Sequence, residues 1–115
     1  MRKISILGST GSIGVNALDV IRNMPEKFKI VHLTGNLNYT KMIEQGKEFS
    51  PQTITMIDEE AAEKVKIALQ GFNIDIFSGR NKLLDHSGDR QVDLVLNSLV
   101  GASGMEPTLK ALQNG

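Results

Sequence analysis

The feature that most constrains the fold of this chain is an alternation of two hydrophobic periods. Short apolar, β-rich runs alternate five times with segments whose apolar residues recur at helical spacing. Strands separated by helices are typical of a parallel sheet, because each return to the same sheet edge needs a crossover. We therefore predict an α/β fold with a doubly wound, mostly parallel sheet and helices on both of its faces.

The element bounds follow from the same pattern. The predicted strands cover residues 3–7, 29–35, 53–57, 73–77 and 92–98. The predicted helices cover residues 13–24, 39–49 and 59–70, with a short helix at 80–86 and a last one at 105–113. The fourth strand alternates in polarity and could be an edge. The fifth is continuously apolar, which predicts a position deep in the sheet.

Three glycines lie between the first strand and the first helix, in the stretch ILGSTGSIG at residues 6–14. Gly8 permits a tight turn off the strand, and Gly14 lets the helix pack closely on the sheet. Gly11 has no Cβ, so a diphosphate can approach its backbone. Strand, glycine turn and helix together predict a Rossmann-like dinucleotide site.

Polar groups around this turn are suited to phosphates. The N–H groups at the start of the helix, around Ser12 and Ile13, point toward an anion that the helix dipole favours. The hydroxyls of Ser9, Thr10 and Ser12 can add hydrogen bonds. The alternative interpretation is a plain glycine turn with Ser12 as the helix cap.

The end of the second strand bears on the choice between NAD and NADP. Proteins that bind NAD usually place Asp or Glu about 20 residues after the glycines, on the ribose 2′-hydroxyl. Here the segment 34–38 reads TGNLN and has no acid, which permits a 2′-phosphate. Asn36 and Asn38 can donate hydrogen bonds to that phosphate. They could equally be a turn residue and a helix cap, and the two interpretations are compatible.

A third glycine-rich stretch, NSLVGASGMEPT at residues 97–108, follows the fifth strand. The carboxyl ends of the strands meet at one edge of a doubly wound sheet, so this stretch should lie across the crevice from the first turn. Gly101 and Gly104 could leave room for the nicotinamide end of the cofactor. The alternative is a long loop without ligand contact.

Other polar residues are weaker candidates. His32 lies in the middle of a strand and is predicted to be packed or hydrogen-bonded rather than catalytic. His86 lies in the sequence DHSGDR, a predicted solvated turn, and the neighbouring Asp85 and Asp89 are expected to be surface charges. Their spacing does not suggest a metal site.

Composition excludes several classes of function. Lysine plus arginine and aspartate plus glutamate both number 13, so the formal net charge is zero and a nucleic-acid partner is not expected. The chain has no cysteine and no apolar stretch near the roughly 20 residues of a membrane span. We expect a cytoplasmic protein without a membrane partner. The final residues, LKALQNG, read as a helix ending on glycine, which suggests a fragment cut at an element boundary.

Three stretches together resemble the amino-terminal NADPH-binding domain of the 1-deoxy-D-xylulose 5-phosphate reductoisomerase family. They are ILGSTGSIGVNALDVIRNMPEKF at the start, MIEQGKEFSPQ after the second strand and LVGASGMEPTLKAL after the fifth. The resemblance extends over nearly all of residues 1–115. It implies one domain that binds NADPH, and it carries the family's cofactor-binding roles onto Thr10, Gly11, Ser12, Ile13, Gly35, Asn36 and Asn38.

One position departs from the family pattern. Many members have a lysine where this chain has Leu37, and the neighbouring glycine is displaced by one residue. Recognition of the 2′-phosphate would then rest on the asparagines and the backbone.

The resemblance also implies a reaction. The family enzyme rearranges 1-deoxy-D-xylulose 5-phosphate and reduces it with NADPH to 2-C-methyl-D-erythritol 4-phosphate, in non-mevalonate isoprenoid biosynthesis. Its divalent metal, Mg²⁺ or Mn²⁺, polarises the substrate carbonyl. The metal ligands and catalytic residues belong to the family's next domain, so neither is expected in this chain. The full-length family enzyme is expected to be a homodimer.

Two alternatives stay open on the residues alone. One is the first domain of another NADP-dependent dehydrogenase, such as an aspartate-semialdehyde-type enzyme. The other is a non-catalytic module that senses NADP.

Overall fold

The computed structural model describes residues 2–79 and 92–97, which form a parallel sheet with three helices. The strands are β1 (Arg2–Leu7), β2 (Phe28–Gly35), β3 (Thr53–Met56), β4 (Asp75–Ser78) and β5 (Leu94–Asn97). The helices are α1 (Ser12–Arg22), α2 (Tyr39–Phe49) and α3 (Glu59–Ala68). The predicted helices at 80–86 and 105–113 lie outside the described residues.

The strand order is β4-β3-β2-β1-β5, and every neighbouring pair is parallel. The chain moves outward from β1 to β4 and then returns to the other side of β1. This reversal confirms the doubly wound, Rossmann-like α/β fold. It also puts a topological switch point at the carboxyl ends of β1 and β5, where ligands bind in sheets of this kind.

All three described helices lie on one face of the sheet. Each joins adjacent parallel strands in the same direction, and such crossovers are right-handed. Their amino termini therefore meet at the sheet edge where the strands end. None of these described helices is long and apolar enough to cross a membrane.

The two outer strands test the sequence interpretation. The strand at 73–77 could be an edge, and β4 is indeed the outermost strand on its side. The prediction that the fifth strand lies deep in the sheet is wrong for the described residues, where β5 pairs with β1 alone. Leu96 is fully buried, but Val95 on the opposite face is 38% exposed. A continuous apolar run in the sequence therefore does not indicate how many other strands pair with the strand that it forms.

The core lies between the sheet and the helices and holds the glycine turn against a rigid base. Ile4, Ile6, Leu18 and Leu33 are at most 1% exposed, and each such side chain contributes about 1.5–3 kcal/mol by its burial. His32 is also buried, and its Nδ1 lies 2.6 Å from the Thr53 hydroxyl. The prediction of a packed, hydrogen-bonded histidine is confirmed.

Candidate functional site

The turn after β1 is anchored to the end of β2. Gly8 has φ +80°, a left-handed conformation that favours glycine. Its N–H donates to the Thr34 carbonyl (3.0 Å) and to the Thr34 hydroxyl (2.9 Å). The N–H of Ser9 donates to the same carbonyl at 2.8 Å. The tight turn predicted for Gly8 is confirmed, and its shape is set by Thr34 on the neighbouring strand.

Gly14 is required by packing. A Cβ at this position would lie 2.4 Å from the Gly8 carbonyl oxygen and 2.6 Å from the Cα of Ser9. Both atoms belong to the backbone and cannot rotate away. The predicted role of Gly14 in close helix packing is confirmed, with the turn itself as the surface that α1 touches.

Gly11 is different, because the fold does not require a glycine there. Its φ of −77° and ψ of 169° suit any residue. A Cβ would approach the Gly8 carbonyl oxygen at 3.6 Å, an ordinary contact. Gly11 is exposed. The missing side chain therefore leaves the outer surface of the turn open to something outside the described chain.

The amino terminus of α1 is left open to an anion. Gly11 is the N-cap residue and no side chain caps the helix, so the alternative of Ser12 as the cap is wrong. Within residues 2–79 and 92–97, nothing accepts from the N–H groups of Ser12 and Ile13. The first turn of α1 carries no acid. Among the described residues, no side chain therefore compensates the positive end of this helix dipole.

The other two helices begin differently. Asn38 caps α2 by accepting from the Lys41 N–H at 3.1 Å, which confirms its predicted capping role. Asp58 caps α3 by accepting from the Ala61 N–H at 2.9 Å, and two glutamates follow it in the first turn. Since α3 is neutralised by its own carboxylates, α1 and α2 offer the better positions for phosphate groups.

Ser9 does not face the open turn. It is fully buried, and its hydroxyl donates to Gln45 Oε1 on α2 at 2.7 Å. Gln45 Nε2 donates back to the Ser9 carbonyl at 2.9 Å. The expectation that the Ser9 hydroxyl can bind a phosphate is wrong, because this hydroxyl is used to bind the turn to α2. The hydroxyls of Thr10 and Ser12 remain.

Gln45 was missed by the sequence interpretation. It is 5% exposed and lies with Met42 and Gly46 on the buried face of α2. The sequence did contain a signal, because Gln45 lies at helical spacing among residues of the buried face. A glutamine that is buried there needs hydrogen-bond partners. Its partner on the turn, 36 residues earlier, could not be read from that spacing.

The structure brings the first two predicted groups of site residues together. A Cβ on Gly35, at the end of β2, would lie 3.3 Å from the Thr10 hydroxyl oxygen and 3.0 Å from Met42 Cε. Gly35 is buried, so its role is to allow this close approach. The turn after β1 and the turn after β2 therefore form one continuous surface.

The turn after β2 is uncharged. The Asn36 side chain is exposed, while its carbonyl accepts from the Asp58 N–H at 3.3 Å. Leu37 is 65% exposed. An Asp or Glu that would bind a ribose 2′-hydroxyl is absent from this turn, and the carboxylate of Asp58 is held as the cap of α3.

Of the third glycine-rich stretch, residues 97–108, the structure describes only the first residue, Asn97. Asn97 pairs in register with Leu7, the residue before Gly8. The chain therefore leaves β5 beside the glycine turn, as expected at the switch point. Gly101 and Gly104 lie outside the described residues, as do Asp85, His86 and Asp89.

A cavity among the described residues lies elsewhere, between α3 and β4. Its volume is about 420 Å³, and its lining includes Glu59, Glu60 and Glu63. Its lining carries three carboxylates and one lysine, Lys66, so it suits a phosphate less than the open turn does. We therefore place the candidate site at the open turn. Among the described residues, no group of three or more His, Asp or Glu side chains could hold a metal ion.

Comparison with known proteins agrees with this geometry. A relative from Thermodesulfovibrio yellowstonii, a 1-deoxy-D-xylulose 5-phosphate reductoisomerase, is 38% identical over 115 residues, all of this chain and 30% of the relative. A solved DOX-P reductoisomerase with NADPH, fosmidomycin and magnesium has a TM-score of 0.78 at 31% identity, over 83% of this chain and 24% of that chain. The Zymomonas mobilis enzyme in complex with NADPH has a TM-score of 0.72 at 27% identity, over 75% and 23%.

The chain spans about 30% of the length of the curated relatives that it matches. The sequence model of one family, described as 1-deoxy-D-xylulose 5-phosphate reductoisomerase, matches residues 4–115. Because that match covers nearly the whole chain, we conclude that it belongs to the 1-deoxy-D-xylulose 5-phosphate reductoisomerase family.

Proposed function

We propose that this chain binds NADPH, with the cofactor diphosphate against Gly11 and the first turn of α1. The observation that carries the proposal is the contrast between two glycines. A Cβ at Gly14 would clash with backbone atoms, whereas a Cβ at Gly11 would make only an ordinary contact, at the start of a helix that no side chain caps. A glycine that the fold does not need, at the positive end of a helix, fits a diphosphate.

The proposed contacts divide between the two turns. Thr10, Gly11, Ser12 and Ile13 would hold the diphosphate through backbone N–H groups and two hydroxyls. The turn after β2 would hold the adenosine end of the cofactor. There Asn36 and Asn38 carry the amide donors, and Gly35 allows the two turns to approach each other.

We propose that residues 1–115 are the NADPH-binding domain of a reductoisomerase. The whole enzyme would rearrange 1-deoxy-D-xylulose 5-phosphate and reduce it to 2-C-methyl-D-erythritol 4-phosphate in non-mevalonate isoprenoid biosynthesis. Bound NADPH supplies the hydride for that reduction. The chain's own residues bind and orient the cofactor. The sugar phosphate and a divalent metal, Mg²⁺ or Mn²⁺, would be held by residues outside this chain. Family membership favours this function over an aspartate-semialdehyde-type dehydrogenase.

We also propose a cytoplasmic location and a homodimer for the full-length enzyme. Both rest on the family alone. Size-exclusion chromatography with light scattering on the full-length enzyme tests the proposed homodimer. A monomer at micromolar concentration would contradict it.

The proposed NADPH site is tested with Gly11→Val. The variant should keep the circular dichroism spectrum of the wild-type protein, because φ, ψ and the surrounding space accept a side chain. Calorimetric titration with NADPH should show binding to the wild-type protein and none to the variant. Unchanged affinity in a folded Gly11→Val protein would contradict the proposed site.

A further inference from the structure

The proposed site lacks an obvious positive charge for a 2′-phosphate. From Thr34 to Thr40 the chain carries no basic residue, and Leu37 is exposed. The first basic residue of α2, Lys41, is half-buried and lines a small cavity between α1 and α2. The carboxylate-bearing residues Glu44 and Glu48 line the same cavity. Lys41 thus lies on the side of α2 that faces α1, where Arg22 lines the same cavity as the two acids.

A different ammonium group lies over the side chain of the residue that follows this turn. Lys64 of α3 places its Nζ 4.4 Å from the centre of the Tyr39 ring, and Tyr39 is the first residue of α2. Tyr39 directly follows Asn38. Attraction between an ammonium group and an aromatic ring holds the long lysine side chain in this position.

The charge of Lys64 is available. The ion pairs found among the described residues both belong to Arg22, so no described carboxylate pairs with Lys64. The side chain of Lys64 is exposed. Acids do lie on α3, at Glu60 and Glu63, but a described ion pair links neither of them to this ammonium. A ring contact orients a cation without neutralising it.

We propose that Lys64, held over the Tyr39 ring, selects a dinucleotide that carries a 2′-phosphate over one that does not. The inference rests on the proposed NADPH function and adds to it a residue on a third element, α3. The phosphate carries between one and two negative charges near pH 7, which the ammonium attracts. Asn36 and Asn38 then supply hydrogen bonds, and Lys64 supplies the charge that Leu37 does not.

The test compares NADPH with NADH, which differ only in the 2′-phosphate. Affinities for both are measured by calorimetry at low ionic strength for the wild-type protein and for Lys64→Gln. We expect Lys64→Gln to lower the affinity for NADPH about three- to tenfold and to change the affinity for NADH by no more than about twofold. The wild-type preference should also shrink as salt is added, since the group is exposed.

Four further variants separate the charge of Lys64 from its position. Lys66→Gln removes one positive charge from the same helix but leaves Lys64 over the Tyr39 ring. This variant should therefore keep the preference for NADPH over NADH. Lys64→Arg keeps the positive charge, and Tyr39→Phe keeps the aromatic ring. Both variants should therefore keep the preference for NADPH over NADH. Lys41→Gln should change the preference less than Lys64→Gln does.

The outcomes distinguish the two proposals. If the wild-type protein binds neither nucleotide, both proposals fail. If it prefers NADPH and Lys64→Gln keeps that preference, the role of Lys64 fails and the NADPH site stands. An equal effect of Lys66→Gln and Lys64→Gln would also overturn the specific role of Lys64, since net charge alone would then explain the loss.

Discussion

At the scale of single residues, the two glycines at 11 and 14 have opposite reasons for lacking a side chain. One is left bare toward solvent, and the other is pressed against backbone. Three residues of sequence separate these roles, and the GxxG spacing alone does not say which glycine serves the fold. The distinction became visible only when the atoms around each Cα were known.

Gly14→Ala should therefore destabilise the protein. The added methyl group meets the Gly8 carbonyl and the Ser9 backbone, and forcing it in costs about 1–3 kcal/mol even after the helix gains from alanine. Urea unfolding measures the change. Gly11→Ala is the matched control and should cost less, about 0.5–1 kcal/mol, because alanine is a poorer N-cap residue than glycine. Equal stability of the two variants would contradict the packing role.

Asn36→Asp tests the charge of the turn after β2. The Asn36 side chain is exposed, so the substitution should not disturb the fold. A carboxylate here would repel the 2′-phosphate, and NADPH affinity should fall about tenfold more than NADH affinity. Paired calorimetric titrations measure the difference. An equal loss for both nucleotides would show that the 2′-phosphate does not lie near residue 36.

At the scale of elements, the glycine turn is held by a helix that does not follow it in the chain. Gln45 of α2 and Ser9 exchange two hydrogen bonds in a buried place. Removing the Gln45 side chain leaves the Ser9 carbonyl without this donor and the Ser9 hydroxyl with only longer contacts, such as that to the Thr34 carbonyl at 3.4 Å. Such a loss in a buried place costs about 1–3 kcal/mol. The position of the turn therefore depends on α2 as well as on α1.

Gln45→Ala should destabilise the protein by about 1–3 kcal/mol and weaken NADPH binding through the loosened turn. Urea unfolding and calorimetry give the two values. A double-mutant cycle with Ser9→Ala should yield a coupling energy of about 1 kcal/mol, because the two side chains act as one unit. Additive effects of the two substitutions would contradict this.

A second link between α1 and α2 is electrostatic. Arg22 forms hydrogen-bonded ion pairs with Glu48 across the two helices and with Asp19 on its own helix. The hydrogen bond from Arg22 holds the pKa of Glu48 below its usual value of 4.5. Because the folded-state pKa is the lower one, this pair contributes stability above the unfolded pKa and loses it as the pH falls through the folded pKa.

Glu48→Gln should accordingly cost about 0.5–1 kcal/mol at pH 7, a value limited by the exposure of both side chains. The difference from wild type should disappear when urea unfolding is repeated at a pH below the folded pKa of Glu48. Glu44→Gln, on the same helix and in no described ion pair, is the control and should change the free energy of unfolding at pH 7 by less than Glu48→Gln does. A pH-independent cost for Glu48→Gln would rule out the electrostatic explanation.

The elements also show what could be predicted from the sequence. The strands and helices from β1 to α3, the reversal at the switch point and the two turns of the site follow from local periodicity and from glycine, proline and cap residues. The pairing of β5 with β1 alone among the described strands, the partner of Ser9 and the approach of Lys64 to Tyr39 could not be predicted. Each depends on contacts between distant segments, which a hydrophobic period does not encode.

At the scale of the whole molecule, the candidate site belongs to no single element. It lies where β1 and β2 end and α1 and α2 begin, and β5 ends beside it at Asn97. A cofactor across these segments would contact the folded protein and not the unfolded chain. Binding should therefore stabilise the molecule by mass action.

NADPH at 100 times its dissociation constant should stabilise the protein by about 2.7 kcal/mol and raise the melting temperature by on the order of 10 °C. NADH at the same concentration should raise it less. Hydrogen exchange should slow more at residues 10–13 and 36–38 than at β4, which is at the far edge of the sheet. Slowing at β4 reports the added stability of the whole fold, so the test is the additional slowing at the two turns. Slowing at the turns that is no greater than at β4 would contradict the proposed position of the diphosphate.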